Sequence, residues 1–279
     1  YLGSDRKMLV ESTYILSEAV DRLLEQHSVK YVLIPGDLTK DGEEINHTWL
    51  AGQLQRLEDA GKQVFVINGN HDLSNGHAKS FVDESGNPID IENADQLTID
   101  QVEAQLQNAD TVDQAAFRKI YRNFGGYDMN ADDFVAMDGN SLSYAVDLGD
   151  SDYRLIAMDD CLYTNDTSAD GRAQATGGSF DGSYGDWQVN KAKNTLNWVL
   201  DQIEQAVRDG KRPIGMMHHG LVPHTAIQST FFEEYLTKDY ETVAQKLADA
   251  GMNLVFTGHF HSQDAALYTS PNGSKLYDV

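Results

Sequence analysis

"VFVINGNHDLSNG", Val64 to Gly76, decides how this chain is to be read. Four β-favouring residues, Val64 to Ile67, run almost directly into Gly69-Asn70-His71-Asp72. An apolar run of that length suits a buried strand, and Asn with Gly is ordinary turn chemistry. Alone, the tetrad fits a plain turn or a strand end that presents an amide, an imidazole and a carboxylate to a reaction centre. Partners elsewhere in the chain separate the two.

Upstream, Lys30 to Pro35 reads as a fully buried strand entering "GDLTKDG". Glu43 to Ala60 reads as an amphipathic helix with Ile45, Leu50, Leu54 and Leu57 inward and Gly61 as its stop. Ser4 to His27 has helical spacing through Leu9, Leu16, Ala19, Val20, Leu23 and Leu24. Strand, helix and strand in succession predict an α/β protein with parallel strands. Residues 74–140 break that rhythm. They are acid-rich, with helices expected around Thr98 to Leu106 and Val112 to Phe124, and read as an insertion or cap. Beyond them, Ser141 to Leu148 alternates like a half-exposed strand and Arg154 to Met158 reads as a buried one. Asp166 to Gly185 reads as a loop and Asp186 to Arg208 as a helix. Pro213 to Met217 and Asn253 to Phe256 are strands ending in "HHG" and "TGHFHS".

Four strand ends therefore carry metal-binding residue types: Asp37; Asn70, His71 and Asp72; His218 and His219; His259 and His261. In α/β sheets the loops at the carboxyl ends of strands converge on one crevice. Carboxylate, amide oxygen and imidazole together suit Mn, Fe or Zn. Each piece has a bland reading, since Gly-Asp and Gly-Asn are common turns and adjacent histidines in a strand point to opposite faces. Yet five of the nine histidines fall in these loops, which isolated turns do not explain.

Composition narrows the classes. The formal charge of -23, from 44 acids against 21 bases, argues against a binder of nucleic-acid polymers. No apolar run approaches the ~20 residues of a membrane span. The one cysteine, Cys161, excludes an internal disulfide and a zinc–thiolate site, and reads as a packing residue. Phe117, Tyr121 and Phe124 recur at helical spacing and read as the cap's own core; His47, beside Trp49 on a helix, reads as structural.

The order "GDLTKDG", "GNHD", "HHG", "GHFHS" resembles the calcineurin-like metallophosphoesterases. The segments "FRKIYRNFGGYD", "SLSYAVDL" and "RLIAMDD" resemble their bacterial cyclic-nucleotide phosphodiesterase-like branch. The resemblance spans almost the whole chain. It implies a four-layer α/β/β/α sandwich of two mixed sheets, with two divalent or trivalent ions between the loops at one edge. It makes Asp37 the carboxylate bridging both ions, places Asn70, His218 and His259 on one, and places His261 on the other. His71 becomes the general acid and Asp72 its orienter, while His219 has no ligand role in that pattern. His77 and His224 are candidate substrate contacts. The implied activity is hydrolysis of small phosphodiesters, 3',5'-cyclic nucleotides among them, by hydroxide held between the two ions. A phosphomonoesterase or protein phosphatase of the same family, and a catalytically impaired metal-binding module, stand as alternatives.

One departure matters. The family's first motif, Asp-x-His, occurs nowhere in this sequence. Tyr1 begins where the helix after that motif's strand should begin, and Val279 ends inside a strand-like run. The expectation is a single catalytic domain over 1–279 that lacks its first core strand and its C-terminal end, with the motif upstream. Compartment and oligomeric state stay open.

Overall fold

The apolar run of the opening stretch forms strand β2, Gln63–Ile67, paired in parallel with β1, Tyr31–Pro35, so that Pro35 lies opposite Ile67. A computed structural model describes residues 11–93, 96–149, 151–164, 174–180 and 195–279 of the chain. Helices α1, Ser12–Glu25, and α2, Glu44–Asp59, flank these strands. Helix α2 stops at Gly61, whose left-handed backbone (φ +82°) donates to the Glu58 carbonyl while Lys62 donates to Leu57. Those two bonds satisfy carbonyls that a helix end leaves open.

A seven-stranded mixed sheet makes up the rest of the framework. Its strands are β3 (Phe134–Met137), β4 (Tyr144–Asp147), β5 (Tyr153–Met158), β8 (Arg212–Met217), β9 (Leu254–Phe256), β10 (Ala266–Thr269) and β11 (Lys275–Asp278), in the order β10-β11-β9-β8-β5-β4-β3. Strands β5, β8 and β9 are parallel to one another; β3, β4 and β10 run antiparallel to their neighbours. Successive strand side chains point to opposite faces, and the core divides accordingly. Leu155, Ala157, Ile214 and Met216 join the cluster under β1, β2, α1 and α2. Ile156, Met158 and Met217 join a second cluster, under α5 (Thr195–Arg208) and α6 (Tyr240–Ala250). The layers run helices, small sheet, large sheet, helices. This is a mixed α/β fold. Among the described residues no helix is long and apolar enough to cross a membrane.

Several local expectations change. On α2 the buried stripe is His47, Leu50, Leu54 and Leu57, whereas Ile45 is 73% exposed. Strand β1 is half-buried, not fully buried, and β4 is buried on both faces instead of half-exposed. Helices α3 (Ile99–Glu103, with a Thr98/Gln101 capping box) and α4 (Gln114–Ile120, capped by Asp113) lie within the acidic stretch. Phe117, Tyr121 and Phe124, expected to make a core of the cap's own, pack into the main cluster with Phe65 and Tyr144. Strand β3 belongs to the large sheet although its sequence lies within 74–140. Within the expected loop Asp166–Gly185, Gln174–Gly178 forms strand β7, paired antiparallel with β6, Cys161–Thr164. The rest of that loop apart from Ser179 and Phe180, the helix residues expected before Glu11, and the first turns of the helix expected from Asp186 lie outside the described residues.

The stripe correction is testable by urea denaturation. Leu54→Ala empties a fully buried position and should cost about 2–5 kcal/mol. Ile45→Ala should stay within about 0.5 kcal/mol of the parent; equal losses at the two sites would contradict this packing.

Candidate metal centre

Parallel pairing brings the relevant strand ends to one edge. Asp37 follows β1 by two residues, Asn70 follows β2 by three, His218 follows β8 directly and His259 follows β9 by three. Because β1 and β2 are in register, as are β8 and β9, their carboxyl ends face the same crevice between the two sheets. Asp37 (φ +49°) and His259 (φ +61°) have left-handed backbones, strained for side chains of this kind. Such strain costs on the order of 1–3 kcal/mol and gathers at functional sites.

Donor atoms converge on His218 Nε2. Asn70 Oδ1 lies 3.0 Å from it, His259 Nδ1 3.1 Å and Asp37 Oδ2 3.3 Å. The other ring nitrogen, Nδ1, donates to the Pro35 carbonyl at 2.9 Å. That bond fixes the tautomer and turns the Nε2 lone pair toward the cluster. Donors around one ion with bonds of about 2.1 Å stand about 3.0–3.4 Å apart, so the three separations fit a single cation. The charges suit it as well. Burial alone would lift the Asp37 carboxyl, but His218 and His71 beside it hold it well below the usual carboxylate range. Burial pulls His218 down and the Asp37 carboxylate more than restores it, leaving the imidazole above its ordinary value. A cation held at Nε2 would take the place of that proton. His259 is pushed down to about 3 by burial and by His219 and His218, which keeps it neutral as a ligand must be.

His71 has a different partner from the one its neighbour suggests. The Asp72 carboxylate accepts from Thr39 N at 2.9 Å, Thr39 Oγ1 at 3.1 Å and Gly69 N at 2.7 Å. It staples the "GDLTKDG" loop to the "GNHD" loop and does not orient His71. Asp41 stands against His71 instead, its Oδ1 3.4 Å from Nδ1, at the long edge of a hydrogen bond. Asp41 is buried and also accepts from Lys40 Nζ and from Asn75 Nδ2. Sequence reading missed it, although an acid four residues past Asp37 was the available signal. The His71 backbone N–H donates to Asp37 Oδ1 at 3.2 Å, tying the imidazole's position to the donor cluster.

Behind the staple lies His47. Its Nε2–H donates to the Asp72 carbonyl at 2.9 Å, and burial drives the ring toward its neutral form. Nδ1 therefore accepts from the Tyr121 hydroxyl at 2.8 Å. The structural reading of His47 gains these two partners. A similar device, absent from the sequence reading, closes the far side. The fully buried Asp278 carboxylate accepts from Leu221 N at 2.7 Å, Val222 N at 2.9 Å and Thr257 Oγ1 at 2.5 Å, joining the "HHG" and "GHFHS" loops.

The remaining candidates scatter. His261, with a left-handed backbone (φ +54°), is exposed and stands outside the donor cluster. His77 is a surface residue 3.9 Å from Glu103. His224 sits between Asp264 at 3.5 Å and Asp278 at 3.6 Å, near Phe260. His219 is fully buried against Asp160, and Cys161 is buried and in no disulfide.

Close packing and charge each yield a test. A Cβ on Gly69 would overlap Asp37 Oδ1 and N and lie 2.9 Å from His218 Cε1. Gly69→Ala should therefore weaken zinc or manganese binding at least about tenfold by equilibrium dialysis, because overpacking forces shifts worth about 1–3 kcal/mol; unchanged affinity would refute the geometry. Asp278, against burial and with help from Asp264, raises His224 above its ordinary value. The stability this gives is fully present below about pH 6.5 and lost as pH rises through the raised value. His224→Gln should lower Tm at about pH 5.5 and much less at about pH 8.5; a loss that does not change with pH would rule out the ionic contribution.

Known proteins resemble this chain in fold. A crystal structure of a dimetal phosphatase from Danio rerio superposes with a TM-score of 0.51 at 13% identity, over 96% of this chain and 77% of that one. The phosphopantetheinyl hydrolase PptH of Mycobacterium tuberculosis aligns over 93% of this chain and 83% of its own, at 11% identity and a TM-score of 0.37. Among curated protein sequences none matches. The family profile for calcineurin-like phosphoesterases, enzymes that use a dinuclear divalent metal centre, matches residues 10–263. That match, over most of the chain, places it in the calcineurin-like phosphoesterase family of metal-dependent phosphoester hydrolases.

Proposed function

We propose that this member of the family hydrolyses small phosphodiesters, with 3',5'-cyclic nucleotides as the leading substrate class. The observation that carries the choice of diester is charge. The four motif loops hold no arginine, and their one lysine, Lys40, is paired with Asp41. A diester bears one negative charge and a monoester close to two. A crevice this poor in side-chain cations, on a chain of net charge -23, suits the smaller charge.

Asp37, Asn70, His218 and His259 would hold one cation, and Asp37 with His261 would contribute to a second. When bound, such ions supply Lewis-acid stabilisation of phosphoryl charge and acidify water. Mn, Fe and Zn all suit this donor set. The chain's own residues supply the rest. Asp37 and Asn70 fix the cluster through strained, hydrogen-bonded loops. His71, held through its backbone N–H by Asp37 and with Nδ1 against Asp41, would give a proton from Nε2 to the departing alkoxide. Asp41 sets the ring's orientation. Asp72 keeps the two loops in register without touching substrate.

The test compares leaving groups. His71→Ala should keep its metal and lose about 10²–10⁴ in kcat on an alkyl phosphodiester, and less on bis(p-nitrophenyl) phosphate, whose leaving group needs little help. Asp41→Asn should follow in the same direction with a smaller loss. Unchanged kcat on the alkyl diester would remove His71 from the mechanism. Faster parent turnover of p-nitrophenyl phosphate than of the bis ester would favour the phosphomonoesterase reading.

A further inference from the structure

We propose that His219 is a third imidazole ligand of the cation site lined by His218 and His259, with Asp160 as the carboxylate that orients it. The proposal rests on the metal-centre reading above and extends it, since the family resemblance gives His219 no such role.

Strand alternation would send adjacent histidines to opposite faces. Here β8 ends at Met217, so His218 and His219 both lie past the ladder, and their rings turn to the same third ring. His218, His219 and His259 form a closed triangle with centroid separations of 5.0, 4.8 and 4.5 Å. One ring nitrogen of each lies within 4.8 Å of the other two. Ligands of a single ion with bonds of about 2.1 Å stand about 3.0–4.2 Å apart, so small ring rotations would close the set.

The hydrogen bonding of His219 then identifies the atom. The ring is fully buried, and Nδ1 lies 3.0 Å from Asp160 Oδ2. A carboxylate only accepts, so Nδ1 carries the proton and Nε2 of the neutral ring carries the lone pair. Among the described residues Nε2 has no hydrogen-bond partner. A buried acceptor left in that state costs about 1–3 kcal/mol, and a cation beside His218 and His259 satisfies it. Carboxylate, imidazole and metal in line is a common support for a ligating histidine. On the Asp160 side the pair is closed off by Gly178, where a Cβ would come within 2.6–2.8 Å of His219 Cγ and Nδ1 and Asp160 Oδ2. Three imidazoles with one carboxylate and one amide oxygen select a first-row ion such as zinc over magnesium or calcium. The Cys161 sulfur also lies within 4.8 Å of donors on Asp160 and His219, and a competing ion position there must be tested.

The experiment titrates the full chain, 15N-labelled at histidine, with zinc and follows the ring nitrogens by NMR. The expected result is that His218 Nε2, His219 Nε2 and His259 Nδ1 move together to metal-bound shifts at the first equivalent. His219→Gln should weaken zinc binding about 10–100-fold, Asp160→Asn should weaken it less, and Cys161→Ser should leave it unchanged. If His218 and His259 respond and His219 does not, the proposal falls and the metal centre stands. If no histidine responds, the metal-centre reading fails and the proposal with it. If Cys161→Ser abolishes the His219 response, the ion sits on the Asp160 side and the proposed ligand set is wrong.

Discussion

The hydrogen bond from His218 Nδ1 to the Pro35 carbonyl joins two sheets that share no ladder. Pro35 is the last residue of β1, in the small sheet, and His218 follows the last residue of β8, in the large one. With the Tyr144 hydroxyl, which donates to the Val66 carbonyl at 2.9 Å, this bond ties the two sheets together. It also chooses the tautomer that presents Nε2 to Asp37, Asn70 and His259. Gly258 reinforces it, its N–H donating to the His218 carbonyl at 2.9 Å. Architecture and site chemistry depend on the same imidazole.

Around that bond, buried carboxylates do structural work that a surplus of acids makes available. Asp72, Asp159, Asp160 and Asp278 are all fully buried. Asp72 and Asp278 each accept from loops they do not belong to, and Asp159 accepts from Leu142 N at 3.0 Å and Tyr163 Oη at 2.7 Å. Loops carrying strained residues such as Asp37 and His259 need fixed partners for their backbone N–H groups. An oxygen with two open lone pairs can serve two segments at once. The charge that argues against nucleic-acid binding is thus spent partly inside the protein.

Much of this was legible in the sequence, and the gaps have physical causes. The strand ends, their order and the stop at Gly61 could be read because apolar runs and turn residues act locally. Inside the helical stripe of α2, the place of His47 could not, because its partners Tyr121 and the Asp72 carbonyl lie 74 and 25 residues away. Local patterning therefore puts apolar Ile45 in the place that His47 takes. Assigning Asp72 to His71 treated neighbours in sequence as neighbours in space, whereas successive side chains in an extended turn diverge. Strand β7, "QATGG", has no apolar alternation, and its pairing with β6 is a backbone property. Helical spacing groups Phe117, Tyr121 and Phe124, but which core they join depends on Phe65 and Tyr144.

Asp278 carries a consequence of a different kind. Its carboxylate reaches back 56–57 residues to the backbone of Leu221 and Val222 and 21 residues to Thr257. Contacts of such sequence separation form late, because the intervening chain must first be confined. Loops that carry His218 and His259 can therefore take their final shape only once β11 has docked beside β9. Until β11 is in place, the loops that carry His218 and His259 lack the carboxylate that ties them together.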